Sequence, residues 1–270
     1  MAKNNKQTNL GIFGLGNMGQ AIFKLLRKSR TGKKLNFNIC SIGLKKINGA
    51  ILLDSLDQLI KPSDIIFLCL KPQDFYKLKP AAPNHKIFIS IMAGVNIKKI
   101  KKIVGSPKVI RVMPNLPLQV GHGVIAWYAG AAKLAQSQFS LIKKLFSSFG
   151  YNFKVKTEAD LDKITALSGS GPAYVFLFMD ALMQSAVTLG FSKEQAETMI
   201  FELLTGSLKY YQSVKKLYTP GQLINMVKSK KGTTEAALNK LNVKKFNQQW
   251  HLAISAAYKR AKEISNYGHK

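Results

Sequence analysis

The sequence predicts an α/β chain in two parts, a doubly wound sheet over residues 1–157 and an all-helical segment over residues 158–270. Three observations predict it. A short apolar run near the N-terminus opens into glycines and then a helical pattern. Apolar runs of strand length recur as far as residue 155. Beyond Glu158 strand signals stop and helical periodicity takes over. A chain of 270 residues can bury one large core or two, and domains cluster near 100 to 150 residues.

Residues 9–13 read as the first strand, followed by Gly14-Leu15-Gly16-Asn17-Met18-Gly19 and a helix marked by Ala21, Ile22, Leu25 and Leu26. In this arrangement the first glycine makes the turn, the second lets the backbone approach a pyrophosphate, and the third packs helix on strand. The phosphate then sits at the helix N-terminus. Strand, glycine turn and helix together mark a dinucleotide-binding (Rossmann) unit, so residues 13–19, from Phe13 through Leu15, Asn17 and Met18, are candidate cofactor contacts; the alternative is a plain tight turn. A second strand over residues 37–41 ends at Ser41 and leads into Ile42-Gly43-Leu44-Lys45-Lys46. An NAD site carries an acid here for the ribose 2′-hydroxyl; none is present, and Lys45 and Lys46 favour NADP unless they are simply solvated.

The third strand, residues 51–53, leaves hardly any room for a crossover helix before it. Residues 64–70 are a continuous apolar run suited to a central parallel strand, with Lys71, Pro72 and Gln73 at its C-terminal edge. Ligands of open α/β sheets bind at that edge, which makes Lys71 and Gln73 candidate contacts. Further strands over 86–91 and 108–113 lead into Met92-Ala93-Gly94 and Pro114-Asn115-Leu116-Pro117. Asn115 either orients a nicotinamide or caps its turn. A strand over 123–128, a helix over 133–149 and a strand over 151–155 complete the sheet.

Leu167-Ser168-Gly169-Ser170-Gly171-Pro172-Ala173-Tyr174 interrupts a helical pattern. Glycine and proline cost about 1 and 3 kcal/mol inside a helix, so a break is expected, with Pro172 opening the next helix. Its free N–H groups and hydroxyls face a ligand or simply form a linker turn. Residues 174–189 are apolar nearly all round and contain neither lysine nor histidine. Such a helix must be covered on every side, which predicts a homodimer. Ser192 with Gln195 caps a helix to residue 211, Thr219-Pro220 and Thr233-Thr234 start two more, and residues 244–265 form the last.

The net charge of +28 raises a nucleic-acid hypothesis. Only Arg27, Arg30, Arg111 and Arg260 are arginines, however, and the lysines spread from end to end without interleaved aromatics, so no specific nucleic-acid site is expected. No uninterrupted apolar run reaches about 18 residues, and the first nine residues are polar, which predicts a cytoplasmic chain without a membrane span. Cys40 and Cys69 have no metal-ligand spacing and read as buried free thiols, and no metal site is expected.

Taken together the motifs resemble those of the pyrroline-5-carboxylate reductase family over nearly the whole chain. The resemblance rests on the glycine loop, on Leu70-Lys71-Pro72-Gln73, on residues 111–117, on residues 167–174 and on Gly232-Thr233-Thr234. It implies NADPH-dependent, sometimes NADH-tolerant, reduction of the C=N bond of 1-pyrroline-5-carboxylate to L-proline, by interlocked dimers that often assemble into rings. The cofactor would then be lined by Cys69, Leu70, Lys71 and Pro72 and by Met92, Ala93 and Gly94. Ser168, Gly169, Ser170, Gly171 and Pro172 would shape the ring pocket. The family's Ser-Pro-Gly-Gly-x-Thr grip on the substrate carboxylate falls on Ser229, Lys230, Lys231, Gly232, Thr233 and Thr234, with Thr234 beside the imine nitrogen or acting as a helix cap.

Two departures accompany the resemblance. Lys230-Lys231 replaces Pro-Gly, which puts a β-carbon where positive φ is expected; it either distorts the grip or adds an attractive charge for the anionic substrate, and predicts altered affinity and not lost activity. The acid often found before Pro-x-Gln-Leu is missing, since Lys215-Lys216-Leu217-Tyr218 precede Pro220 by one residue. Two other functions compete: a related NADP-dependent imine or hydroxyacid reductase, and a non-catalytic basic dinucleotide-binding protein. A hydroxyacid enzyme would present lysine or histidine on the helix over 174–189, and a non-catalytic protein has little need of three spaced glycines.

Overall fold

The computed structural model describes residues 7–267; the polar N-terminal stretch behind the cytoplasmic expectation lies largely outside them. By its internal contacts the chain divides into two compact units, residues 1–172 with 256–270, and residues 173–255.

The first unit is built on one eight-stranded sheet in the order β3-β2-β1-β4-β5-β6-β7-β8. Strand β1 (Thr8–Phe13) feeds helix α1 (Asn17–Lys28), and β2 (Leu35–Cys40) is followed by β3 (Ile51–Leu53) with no helix between them. The short second crossover is therefore real. Next come α2 (Leu56–Ile60), β4 (Ile65–Leu68), α3 (Pro72–Phe75), β5 (Ile87–Ser90), α4 (Ile97–Val104) and β6 (Val109–Met113). Strand β4 pairs parallel with β1 and β5, and every residue of β4 and β5 is buried, as a central parallel strand requires. The chain order reverses between β1 and β4, which places a topological switch point at their C-terminal ends.

The last two strands of the otherwise parallel sheet are reversed. Strand β7 (Gly123–Tyr128) runs antiparallel to β6, with Arg111 opposite Tyr128, and β8 (Gly150–Lys154) then pairs parallel with β7 after α5 (Gln136–Ser147). The reason is connection length. Only a 3-10 turn, Leu116–Val120, joins β6 to β7, and a parallel return needs a crossover of a dozen residues or more.

A second difference lies at the glycine-serine stretch, where the expected break is absent. Helix α6 (Asp160–Ile164) continues through a π-helical turn, Thr165–Gly169, into α7 (Gly171–Thr188). The Ser170 N–H donates to the Thr165 carbonyl at 2.9 Å, five residues back. Widening the turn accommodates Pro172, which has no N–H and whose ring would otherwise press on the carbonyl four residues earlier. The joined helical run, residues 160–188, is long and apolar enough by composition to cross a membrane, unlike its separate pieces.

The second unit continues with α8 (Lys193–Val214), α9 (Pro220–Val227), α10 (Thr233–Leu241) and α11 (Val243–Tyr267), whose last turns belong to the first unit. The Ser192 capping box forms as expected, and the helix expected to start at Thr219-Pro220 is closed by a further box between Thr219 and Gln222. Within one chain α7 is not covered: Val175, Phe176, Leu177 and Phe178 are all about half exposed or more.

Candidate active site

Each glycine of the first loop has a distinct steric role. Gly14 sits at φ +93, and a Cβ there would come within 2.8 Å of the Cys69 carbonyl oxygen and 2.9 Å of Leu70 Cδ2. Gly19 backs onto the Gly14 carbonyl so closely that no side chain fits between them. Gly16 is the opposite case, exposed, with no atom within 4 Å of a would-be Cβ. The loop is tight on its protein side and open above its middle glycine.

Helix α1 begins at this opening with Gly16 as its N-cap, no capping side chain and no acid in its first turn. Its first N–H groups are thus left to an outside acceptor, and the helix dipole favours an anion there. The loop is braced from behind: the Leu15 N–H donates to Ser41 Oγ at 3.2 Å, and the Gly14 N–H to the Cys40 carbonyl at 2.8 Å. An uncapped helix start under an open glycine fits the pyrophosphate of a dinucleotide. Among the other cofactor residues expected from sequence, Phe13 and Met92 are buried in the core, while Asn17, Lys45, Lys71 and Gln73 are exposed and Met18, Pro72 and Ala93 half-buried. Gly94, at φ +72, lies against Ile264 of α11, with a would-be Cβ 2.5 Å from Ile264 Cγ2. Burial pushes the Cys69 thiol up, so it stays neutral.

Asn115 neither caps its turn nor stands free. Its Oδ1 accepts the Val124 N–H at 2.8 Å, and its Nδ2 donates to Ser168 Oγ at 3.3 Å. With Ser168 accepting from Asn115, the serine hydroxyl proton remains available to an outside acceptor. The buried amide therefore ties the end of the sheet to the π-helical turn, whose Gly169 faces Met113 Sδ.

The segment from Ser229 to Thr234 lies in the second unit and makes a turn into α10. Lys231 holds φ 61, the left-handed backbone expected of glycine, despite its β-carbon. Gly232, not Thr234, is the N-cap of α10. Thr233 and Thr234 are its first two residues, and Thr234 also lines an apolar groove of about 950 Å³ with Tyr210, Tyr211, Ile224, Met226 and Leu238.

Sequence reading missed two groups. Arg111, buried on β6, pairs with Glu158 at 2.9 Å, and the same carboxylate oxygen accepts the Ile97 N–H at 2.7 Å. Glu235 accepts the Lys231 N–H at 2.7 Å. Neither pattern has a local signal, because one spans 47 residues and the other depends on the φ of Lys231. Among the described residues no group of histidine, cysteine and acidic side chains is arranged to hold a metal ion.

Known proteins resemble the chain along nearly its whole length. Residues 158–264 match the family model for pyrroline-5-carboxylate reductase dimerisation, and residues 9–94 match a model for coenzyme F420-dependent NADP oxidoreductases. A curated pyrroline-5-carboxylate reductase of Aquifex aeolicus is 35% identical, over 94% of this chain and 97% of its own. The crystal structure of 1-pyrroline-5-carboxylate reductase from Streptococcus pyogenes superposes with a TM-score of 0.84 at 27% identity, covering 94% of this chain and 98% of that one. A Plasmodium falciparum pyrroline carboxylate reductase structure with NADP bound gives 0.81 at 28% identity, covering 96% and 99%. With relatives of this identity matching from the glycine loop through the last helix, the chain belongs to the pyrroline-5-carboxylate reductase family.

Proposed function

We propose that this protein reduces 1-pyrroline-5-carboxylate to L-proline, the last step of proline biosynthesis, with NADPH as donor and NADH tolerated. One observation carries the reading: a family relationship spanning nearly the full length coexists with a glycine loop that is sterically closed except over Gly16. In this reading the N–H groups at the start of α1 bind the pyrophosphate, and Lys45 and Lys46, with no acid between Ser41 and Lys46, receive the 2′-phosphate. Cys69 to Pro72 and Met92 to Gly94 line the cofactor. Asn115 fixes the Ser168 hydroxyl, and the turn of residues 168–172 shapes the ring pocket.

The backbone N–H groups of the Ser229 to Thr233 turn hold the substrate carboxylate, and the Thr234 hydroxyl donates a hydrogen bond toward the imine nitrogen. When bound, the reduced nicotinamide supplies the hydride that the imine carbon accepts as the nitrogen takes a proton. Helix α7 has neither lysine nor histidine, so nothing on it favours a hydroxyacid substrate. The working form is a cytoplasmic homodimer, or a ring of dimers. The dimerisation match over residues 158–264 and the half-exposed Val175, Phe176, Leu177 and Phe178 support that assembly, which would cover α7 more economically than a membrane.

The test is loss of nicotinamide absorbance when purified protein is given 1-pyrroline-5-carboxylate with NADPH and then with NADH, and assay of the product for proline. Oxidation with proline formed is the expected result. Dinucleotide binding without oxidation would sink the substrate assignment and leave the cofactor site standing.

A further inference from the structure

The turn from Ser229 to Thr234 carries a lysine where its backbone favours glycine. Lys231 lies at φ 61, in the left-handed region that penalises any residue with a β-carbon. In the same turn a side chain at Gly232 would meet Ser229 Oγ. Some contact must hold Lys231 in place.

That contact is Glu235. Its Oε2 accepts the Lys231 N–H at 2.7 Å, and its Oε1 lies 3.9 Å from Lys228 Nζ. A glutamate at the third helical position usually reaches back to the N–H of the cap residue. Here the cap is Gly232, and its N–H already donates to the Ser229 carbonyl at 3.0 Å, so Glu235 reaches one residue further back. One half-buried carboxylate thereby straps the turn at both ends, at Lys228 before it and at Lys231 within it. Its charge faces Lys228, while Lys230 and Lys231 form no ion pair among the described residues.

We propose that Glu235 is a positioning residue for the carboxylate-binding turn. It keeps the Lys231 backbone in the glycine-like conformation that aims the N–H groups of the turn at an anionic substrate, and it leaves the two neighbouring ammonium groups to attract that substrate. This inference rests on the reading of residues 229–234 as the substrate grip.

Two readouts test it. The first needs no substrate: hydrogen exchange at the Lys231 amide should speed up about tenfold in Glu235→Ala and little in Glu235→Gln, whose amide oxygen still accepts the bond. The second is steady-state reduction of 1-pyrroline-5-carboxylate. Glu235→Ala should raise its KM about three- to tenfold with the NADPH KM unmoved, and Glu235→Gln should recover most of that loss. Lys231→Gly removes the need for the strap, so adding Glu235→Ala to it should raise KM by less than about twofold beyond the single change.

Unchanged exchange in Glu235→Ala overturns the strap. Faster exchange with unchanged KM, or an equal KM penalty in the wild-type and Lys231→Gly backgrounds, overturns its positioning role. If the wild-type protein shows the slow Lys231 exchange yet does not reduce the imine, the substrate reading fails and the proposed role falls with it, while the strap itself stands.

Discussion

Gly16→Ala separates a ligand-binding glycine from a structural one. Gly16 has φ −66 and ψ −175, an extended conformation open to any residue, and its would-be Cβ meets no atom within 4 Å. Alanine therefore fits without strain and shortens the list of unfolded conformations, so the fold should be unharmed or gain about 0.4–1 kcal/mol. The cost appears only when a phosphate approaches. A methyl group over the start of α1 lengthens or removes one charge-assisted hydrogen bond, worth about 1.5–3 kcal/mol, or about 10- to 150-fold in the Kd for NADPH.

Gly19→Ala is the matched control. Its Cβ would press on the Gly14 carbonyl and lie 3.2 Å from Cys69 Cβ, an overpacking that costs about 1–3 kcal/mol of stability. Thermal unfolding and calorimetric titration of NADPH on both variants give the answer. Gly16→Ala should melt at or above the wild-type temperature and bind weakly, whereas Gly19→Ala should melt lower. A Gly16→Ala protein that binds NADPH as tightly as wild type would refute the placement of the pyrophosphate over this loop.

Three further outcomes are expected. Asn115→Ala strands the Val124 N–H and releases Ser168, which should cost about 1–3 kcal/mol in urea unfolding and lower kcat more than it changes the NADPH Kd; unchanged kcat would confine Asn115 to a structural role. Glu158→Gln leaves the buried Arg111 guanidinium without its counter-charge while still accepting the Ile97 N–H, so a loss of about 3 kcal/mol is expected, and a neutral result would show that the ion pair adds nothing. Lys163, with the Thr157 N–H and hydroxyl, holds the Asp160 carboxyl down to about 2 from 3.8, so its stabilisation is full above that range and disappears as pH falls through it. The melting difference between wild type and Asp160→Asn should accordingly close between about pH 4 and pH 2, and a pH-independent difference would count against the carboxylate.

What was legible in the sequence is what local sterics decide. The structural roles of Gly14 and Gly19 follow from spacing alone, because turn and helix packing each forbid a side chain at one fixed position. Helix starts at Ser192 and Thr219 were legible because a capping box is closed within four residues. The antiparallel β7 was not, since strand direction depends on whether the connecting segment becomes a crossover helix or a tight turn. The π-helical turn was missed for a related reason: glycine and proline advertise a break, but a helix can also absorb them by adding one residue to a turn. Glu235 and Glu158 stayed hidden because their meaning lies in partners whose conformation or distance in sequence no pattern announces.

The composition of the candidate site bears on how a reductase of this kind would work. Residues 13–19, 69–73, 92–94, 168–172 and 229–234, together with Asn115, contain no aspartate, glutamate or histidine. Two carboxylates adjoin them in sequence: Asp74 pairs with Lys77, and Glu235 is engaged by Lys228 and the Lys231 N–H. These segments supply hydroxyls, amides, lysines and one thiol that burial pushes up, and no carboxylate or imidazole. A chain that orients a hydride donor against an electrophilic imine lowers the barrier through alignment and the anion grip, with the proton for the nitrogen drawn from solvent. In the proposed reading the basic surface takes part at two places, at Lys45 and Lys46 beside the cofactor and where Lys230 and Lys231 flank the turn.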